Sequence, residues 1–204
     1  MTSIPEGVHK ILRKASEATP RREFKCTLFP DHWNSFVQLW APRIHAFVED
    51  ALGPYGTQPK SDILPLSDGF HMACANASFD LMSGQIRLGP HLFDQPGATL
   101  EKLTHEMIHG SLANFPNDDD GFYTEGYVDY STWVLAHAPI WEPYRQEMIQ
   151  AAADNIRNRR ERALRTGSDY DRKRWAGGLF AMTAFGPYII AMLRQKKAEG
   201  NLTW

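Results

Sequence analysis

Residues 99–112 place Leu100, Leu103, Met107, Ile108 and Leu112 on one apolar stripe, and the same stretch contains His105-Glu106-Met107-Ile108-His109. The apolar spacing predicts a helix beginning near Thr99, which can cap it. Within a helix, residues i and i+4 lie one above the other. His105 and His109 can therefore point both imidazoles at one metal ion. Glu106, one step round the helix, can reach a water bound to that ion and act as general base, the metal lowering the water's pKa from 15.7 toward about 7. The plainer alternative is a solvent-facing helix that happens to carry two histidines.

A catalytic zinc site needs a third protein ligand and an open fourth position. The chain has two cysteines, Cys26 and Cys74, which excludes a disulfide framework and a cysteine-rich zinc site. It has eight histidines, so a bound metal is expected to use imidazole and carboxylate. After the acidic loop Asn117-Asp118-Asp119-Asp120-Gly121, a second helix is expected over about Thr124 to His137. Its first turn carries Glu125, 16 positions beyond His109 and across a loop long enough for the two helices to pack together. Asp129 shares the Glu125 face at i+4 and can hold a ligand imidazole by its outer N–H. The bland readings are a first-turn glutamate favoured by the helix dipole and a solvated helix aspartate. Two histidines and a carboxylate can hold iron or other first-row metals, but this helical spacing points to Zn2+.

The remaining organisation is α+β. Residues 1–19 read as a weak, charged helix that packs loosely, and Phe24–Phe29 as a short strand. A helix is expected from Asp31, as N-cap, to Leu52, ended by Gly53-Pro54; its Trp and Phe stripe is read as core. Residues 55–98 suggest a small sheet built from Ile63-Leu64, Phe70–Ala75 and Gln85–Leu88, with Ser83-Gly84 as a turn. After the two helices of the site, a long helix is expected from Pro143 to about Arg165. Gly167 marks a turn, and a last helix covers about Arg172 to Lys197. The length suits one domain over 1–204, with the helix and sheet in 1–98 and the metal-bearing helical part in 99–204.

His105-Glu106-x-x-His109 followed by Glu125-Gly126-x-x-Asp129-Tyr130 resembles the gluzincin metallopeptidases. Among them it is most similar to the plant and bacterial basic secretory protein type, over roughly residues 80–195. The resemblance implies a zincin-like fold, with a small mixed sheet packed on the active-site helix. It implies His105, His109 and Glu125 as zinc ligands, Glu106 as catalytic base and Asp129 as the residue orienting a ligand histidine. It also implies that Gln85–Leu88 is a sheet edge aligning an extended substrate, which makes Gln85 and Arg87 candidate substrate-binding residues. Gluzincins usually add a Tyr or His that donates to the oxyanion. In the comparable stretch here Trp175 stands where that Tyr is expected, so Tyr170 is the first candidate donor, followed by Tyr123 and Tyr188; the alternative for Tyr170 is an ordinary surface tyrosine.

Other features carry less. His91 follows the expected edge strand and is a candidate substrate contact or a plain loop histidine. Arg157, Arg159, Arg160, Arg162 and Arg165, continued by Arg172, Lys173 and Arg174, form a basic stretch, read as a solvated face or as a capture site for an anionic substrate. The net charge is −2 and no nucleic-acid motif accompanies these charges, so no nucleic-acid partner is expected. The sequence contains no apolar run of transmembrane length and no secretory signal, so a cytoplasmic location without membrane association is expected. The expected function is metal-assisted hydrolysis of an amide or peptide bond. The alternatives are a metalloenzyme acting on a small biosynthetic substrate, and an inactive metal-binding interaction domain.

Overall fold

A computed structural model describes residues 4–26, 30–66, 77–112 and 122–167, together with Gln195. Over these residues the chain is α+β, with five α-helices and a three-stranded mixed sheet. Helix α1 spans Glu6–Ala15 and α2 Asp31–Leu52. Strands β1 (Leu64–Pro65), β2 (Ala77–Asp80) and β3 (Gln85–Leu88) follow. Helices α3 (Pro96–Ser111), α4 (Phe122–Leu135) and α5 (Arg145–Thr166) complete the described chain. No described helix is long and apolar enough to cross a membrane.

The apolar stripe of α2 buries Trp33, Val37, Trp40, Ile44, Phe47 and Val48. Gly53, at φ 89°, lets the chain leave the helix in a conformation that a side chain would resist. Pro30, rather than Asp31, precedes the first helical residue, and Asp31 makes no side-chain cap. Helix α1 is docked more firmly than its charge suggested. Val8, Leu12 and Ala15 are buried, and Ser16 Oγ just beyond the helix accepts a hydrogen bond from Ile140 N at 3.3 Å.

The sheet order is β1-β3-β2, with β1 parallel and β2 antiparallel to β3. This corrects the reading of Gln85–Leu88 as an edge. Arg87 pairs with Leu64 on one side and Ser78 on the other, so the backbone of β3 is occupied on both sides there. Asp80 closes the β2–β3 turn by accepting from Met82 N and Ser83 N through Oδ1, and Gly84 turns the chain at φ 72°. The strand expected at 24–29 reduces to one bridge, Lys25 with Asp62, and 27–29 lie outside the described residues. The segment 70–75 and the helix expected at 172–197, apart from Gln195, also lie outside them.

Helix α3 runs through the middle of the described structure. It begins three residues before Thr99, whose hydroxyl does not cap the helix and instead donates to Leu92 O and Gln95 O. Two glycines allow its close approaches. A Cβ at Gly97 would lie 2.3 Å from Glu147 Cβ on α5, and one at Gly110 would lie 2.7 Å from Thr57 O and 2.9 Å from Phe79 Cζ of β2. Gly110 O accepts from both Gly56 N and Thr57 N, which anchors the end of α3 directly after His109.

Candidate metal centre

The site is a stack of three i,i+4 pairs, one from each of three helices. His105 and His109 come from α3, Glu125 and Asp129 from α4, and Asn155 and Arg159 from α5. Because i and i+4 lie on one helix face, each helix presents its two polar groups together. His105, Glu106 and Asp129 are buried. His109 and Glu125 retain 12% and 21% side-chain exposure, so the open side of the centre lies at these two ligands.

Three donor groups converge. His105 Nε2 and His109 Nε2 are 3.2 Å apart; Glu125 Oε2 is 3.6 Å from the first, and Glu125 Oε1 is 3.5 Å from the second. One ligand atom from each of the three residues can be chosen so that all lie within 4.8 Å of one another. Tetrahedral coordination at 2.0–2.1 Å requires ligand atoms about 3.3 Å apart, so the donor set fits a metal ion. Its chemistry fits as well. His105 Nδ1 faces Asp129 Oδ1 at 3.3 Å, which places the ring proton on the Asp129 side and leaves Nε2 as a lone pair facing the other donors. The contact falls short of hydrogen-bond geometry, and Nδ1 has no hydrogen-bond partner among the described residues. Lone pairs aimed at one point repel unless a cation lies between them.

Without a metal, a proton takes part of that role. Burial opposes charging His105, but Asp129 and Glu125 outweigh it and raise its pKa to about 10. Burial lowers His109 to about 4, with the charge on His105 adding to the effect. Burial works against ionised Glu125, yet His109, His105 and Arg159 hold its carboxyl well below the ordinary range. Asp129 is likewise kept ionised against burial, chiefly by Arg159. Glu106 differs: burial raises it to about 7, partly offset by His105. A buried carboxyl whose pKa lies near neutrality is suited to accept and return a proton.

The outer layer is more extensive than the sequence suggested. Arg159 Nη1 donates to Glu125 Oε2 at 3.1 Å, and Arg159 Nε lies 3.0 Å from Asp129 Oδ2. Asn155 Nδ2 donates to Asp129 Oδ1 at 3.0 Å. Arg159 is therefore neither part of a solvated face nor free to capture an anionic substrate. The rest of the described run does face solvent: Arg157, Arg160, Arg162 and Arg165 are exposed, and Arg157 pairs with Asp154 on its own helix. Glu101, one turn before His105, is also buried beside the site, with Oε2 2.9 Å from Lys102 Nζ. Its i−4 spacing from His105 was a signal available in the sequence; Asn155 and Arg159 had no such marker.

The structure brings together His105, Glu106, His109, Glu125 and Asp129. It does not assign a substrate role to Gln85, whose buried side-chain amide donates to Asp62 O at 2.6 Å and Ile86 O at 3.1 Å and so braces the sheet. Arg87 is half-buried at the centre of the sheet. His91 is exposed in a 3-10 turn, Pro90–Leu92, where its carbonyl accepts from Gln95 Nε2. Tyr170 and Tyr188 lie outside the described residues. Tyr123 lies in the first turn of α4, but its side chain is not among those described.

No family model, curated protein or solved structure matches the chain.

Proposed function

We propose that the chain is a zinc-dependent hydrolase of the gluzincin type, acting on a peptide or amide bond. The observation that carries this reading is the convergence of the His105, His109 and Glu125 donor atoms, with the buried carboxyl of Glu106 next to His105 on the same helix. Zinc bound to these three residues would supply a Lewis acid for the substrate carbonyl and lower the pKa of water at the site. Glu106 takes the proton of the attacking water on a carboxylate oxygen and returns it to the leaving amine, acting first as base and then as acid. Asp129 holds His105 in the tautomer that leaves Nε2 free for the metal. A binding-only domain has no use for a buried carboxyl at position 106, which costs stability unless it is protonated.

Glu106→Gln is the test. It removes the proton acceptor while preserving shape, so the variant should retain zinc at wild-type stoichiometry. Its turnover on a mixed peptide library should fall by about 10²–10⁴-fold. Turnover equal to wild type would rule out the proposed base.

A further inference from the structure

We propose that Arg159 is a positioning residue that restricts Glu125 to single-oxygen attachment at the metal, so keeping the centre four-coordinate with one place open to substrate. This rests on the metal-centre reading above. A glutamate can bind a metal through one oxygen or both, and attachment through both would fill the position a hydrolytic zinc site must keep open. The two oxygens of Glu125 are not equivalent. Both face the histidines, Oε2 at 3.6 Å from His105 Nε2 and Oε1 at 3.5 Å from His109 Nε2, but the guanidinium hydrogen bond from Arg159, at 3.1 Å, goes to Oε2. A charge-assisted hydrogen bond draws electron density from Oε2 and fixes the plane of the carboxylate, which leaves Oε1 as the better metal donor.

The guanidinium also fixes the carboxylate in space. Nη1 contacts Glu125 and Nε contacts Asp129 Oδ2 at 3.0 Å, so one rigid group spans the ligand and the residue that orients His105. Asn155 holds the other oxygen of Asp129, Oδ1, from one turn earlier on α5. Neither carboxylate can rotate without breaking a hydrogen bond to α5. A lysine carries the same charge, but a single ammonium lacks the planar fork that reaches both partners in this geometry.

The charge balance points the same way. Glu125 and Asp129 place two negative charges beside the histidines, and Arg159 cancels one of them. A divalent ion then meets one net carboxylate charge from this pair, and the charge on Glu106 remains available for proton transfer.

The test compares wild type, Arg159→Gln, Arg159→Lys and Arg157→Gln, each loaded with Co2+ in place of zinc. Visible absorption reports coordination number, and zinc affinity is measured by competition with a chromophoric chelator. Wild type should show the intense d–d bands of four-coordinate cobalt. Both Arg159 variants should show the weaker bands of a higher-coordinate ion and bind zinc about 10–100-fold less tightly. Arg157→Gln, which alters an exposed arginine on the same helix, should match wild type. Wild-type spectra and affinity in both Arg159 variants would overturn the proposal while leaving the metal centre intact. Full restoration by lysine would also overturn it, since charge alone would then suffice. If Arg159→Gln does not fold, judged by circular dichroism, the lysine variant decides by the same criteria. Failure of wild type to take up either metal would overturn the metal-centre reading itself, and the role of Arg159 with it.

Discussion

Trp40 on α2 packs against Trp141 at 6.2 Å and Tyr144 at 6.1 Å, and Phe47 meets Trp141 edge-on at 5.3 Å. The α3–α4–α5 interior instead buries the polar His105, Glu106 and Asp129, with Glu125 and Arg159 partly exposed beside them. In the aromatic region each large ring removes apolar area from water, and the one polar tip on Trp141 donates to Leu135 O at 2.6 Å. Nothing there depends on a ligand. In the polar region the carboxylates of Glu125 and Asp129 exceed the charge of Arg159, and the histidine lone pairs converge on one point. The aromatic region is complete as folded, whereas the polar region presents a converging donor set that can hold a cation.

Trp141→Ala should give the largest loss of stability. Removing a fully buried indole costs about 3–5 kcal/mol, read as a shift in the urea midpoint, while zinc affinity of the folded fraction should remain at the wild-type value. Parallel loss of zinc affinity would show that the two regions do not act separately.

Metal removal is the complementary test. A ligand that binds only the folded chain stabilises it by about 2.7 kcal/mol when present at 100 times its Kd. A strong chelator should therefore lower the melting temperature of wild type and leave that of His105→Ala unchanged. An equal response in both proteins would detach stability from this site.

The smallest effect concerns His45, on the α2 side. Its ring stacks on Tyr55 at 4.5 Å and its Nε2 meets Gln58 Oε1 at 3.1 Å. Burial lowers its pKa, partly countered by Gln58. A histidine whose pKa is lower folded than unfolded favours folding above the unfolded value, and that contribution is lost as pH falls toward the folded value. Metal-free wild type should thus lose more stability between pH 7 and 5 than metal-free His45→Gln. An identical loss in both would remove His45 from the acid response.

The two regions were unequally legible in the sequence. The span of α2 follows from its apolar period and from Gly53, both local signals. The His105–His109 pair, Glu125 and Asp129 were legible because i,i+4 spacing on a helix is itself geometric. The order of the sheet was not: β1 is only Leu64–Pro65, too short to show alternation, so nothing in the sequence reveals that β3 has a parallel neighbour. Arg159 was hidden for a different reason. It sits among Arg157, Arg160, Arg162 and Arg165, and only the rotation at which α5 docks on α4 separates the inward arginine from the outward ones.

We propose above that His105, His109 and Glu125 together hold one metal ion. Elemental analysis of the purified chain beside His105→Ala, His109→Ala and Glu125→Ala tests it most directly. We expect one zinc per wild-type chain and loss of stoichiometric zinc in each folded variant. A wild-type chain without zinc, or a His105→Ala chain that retains it in full, would contradict the account.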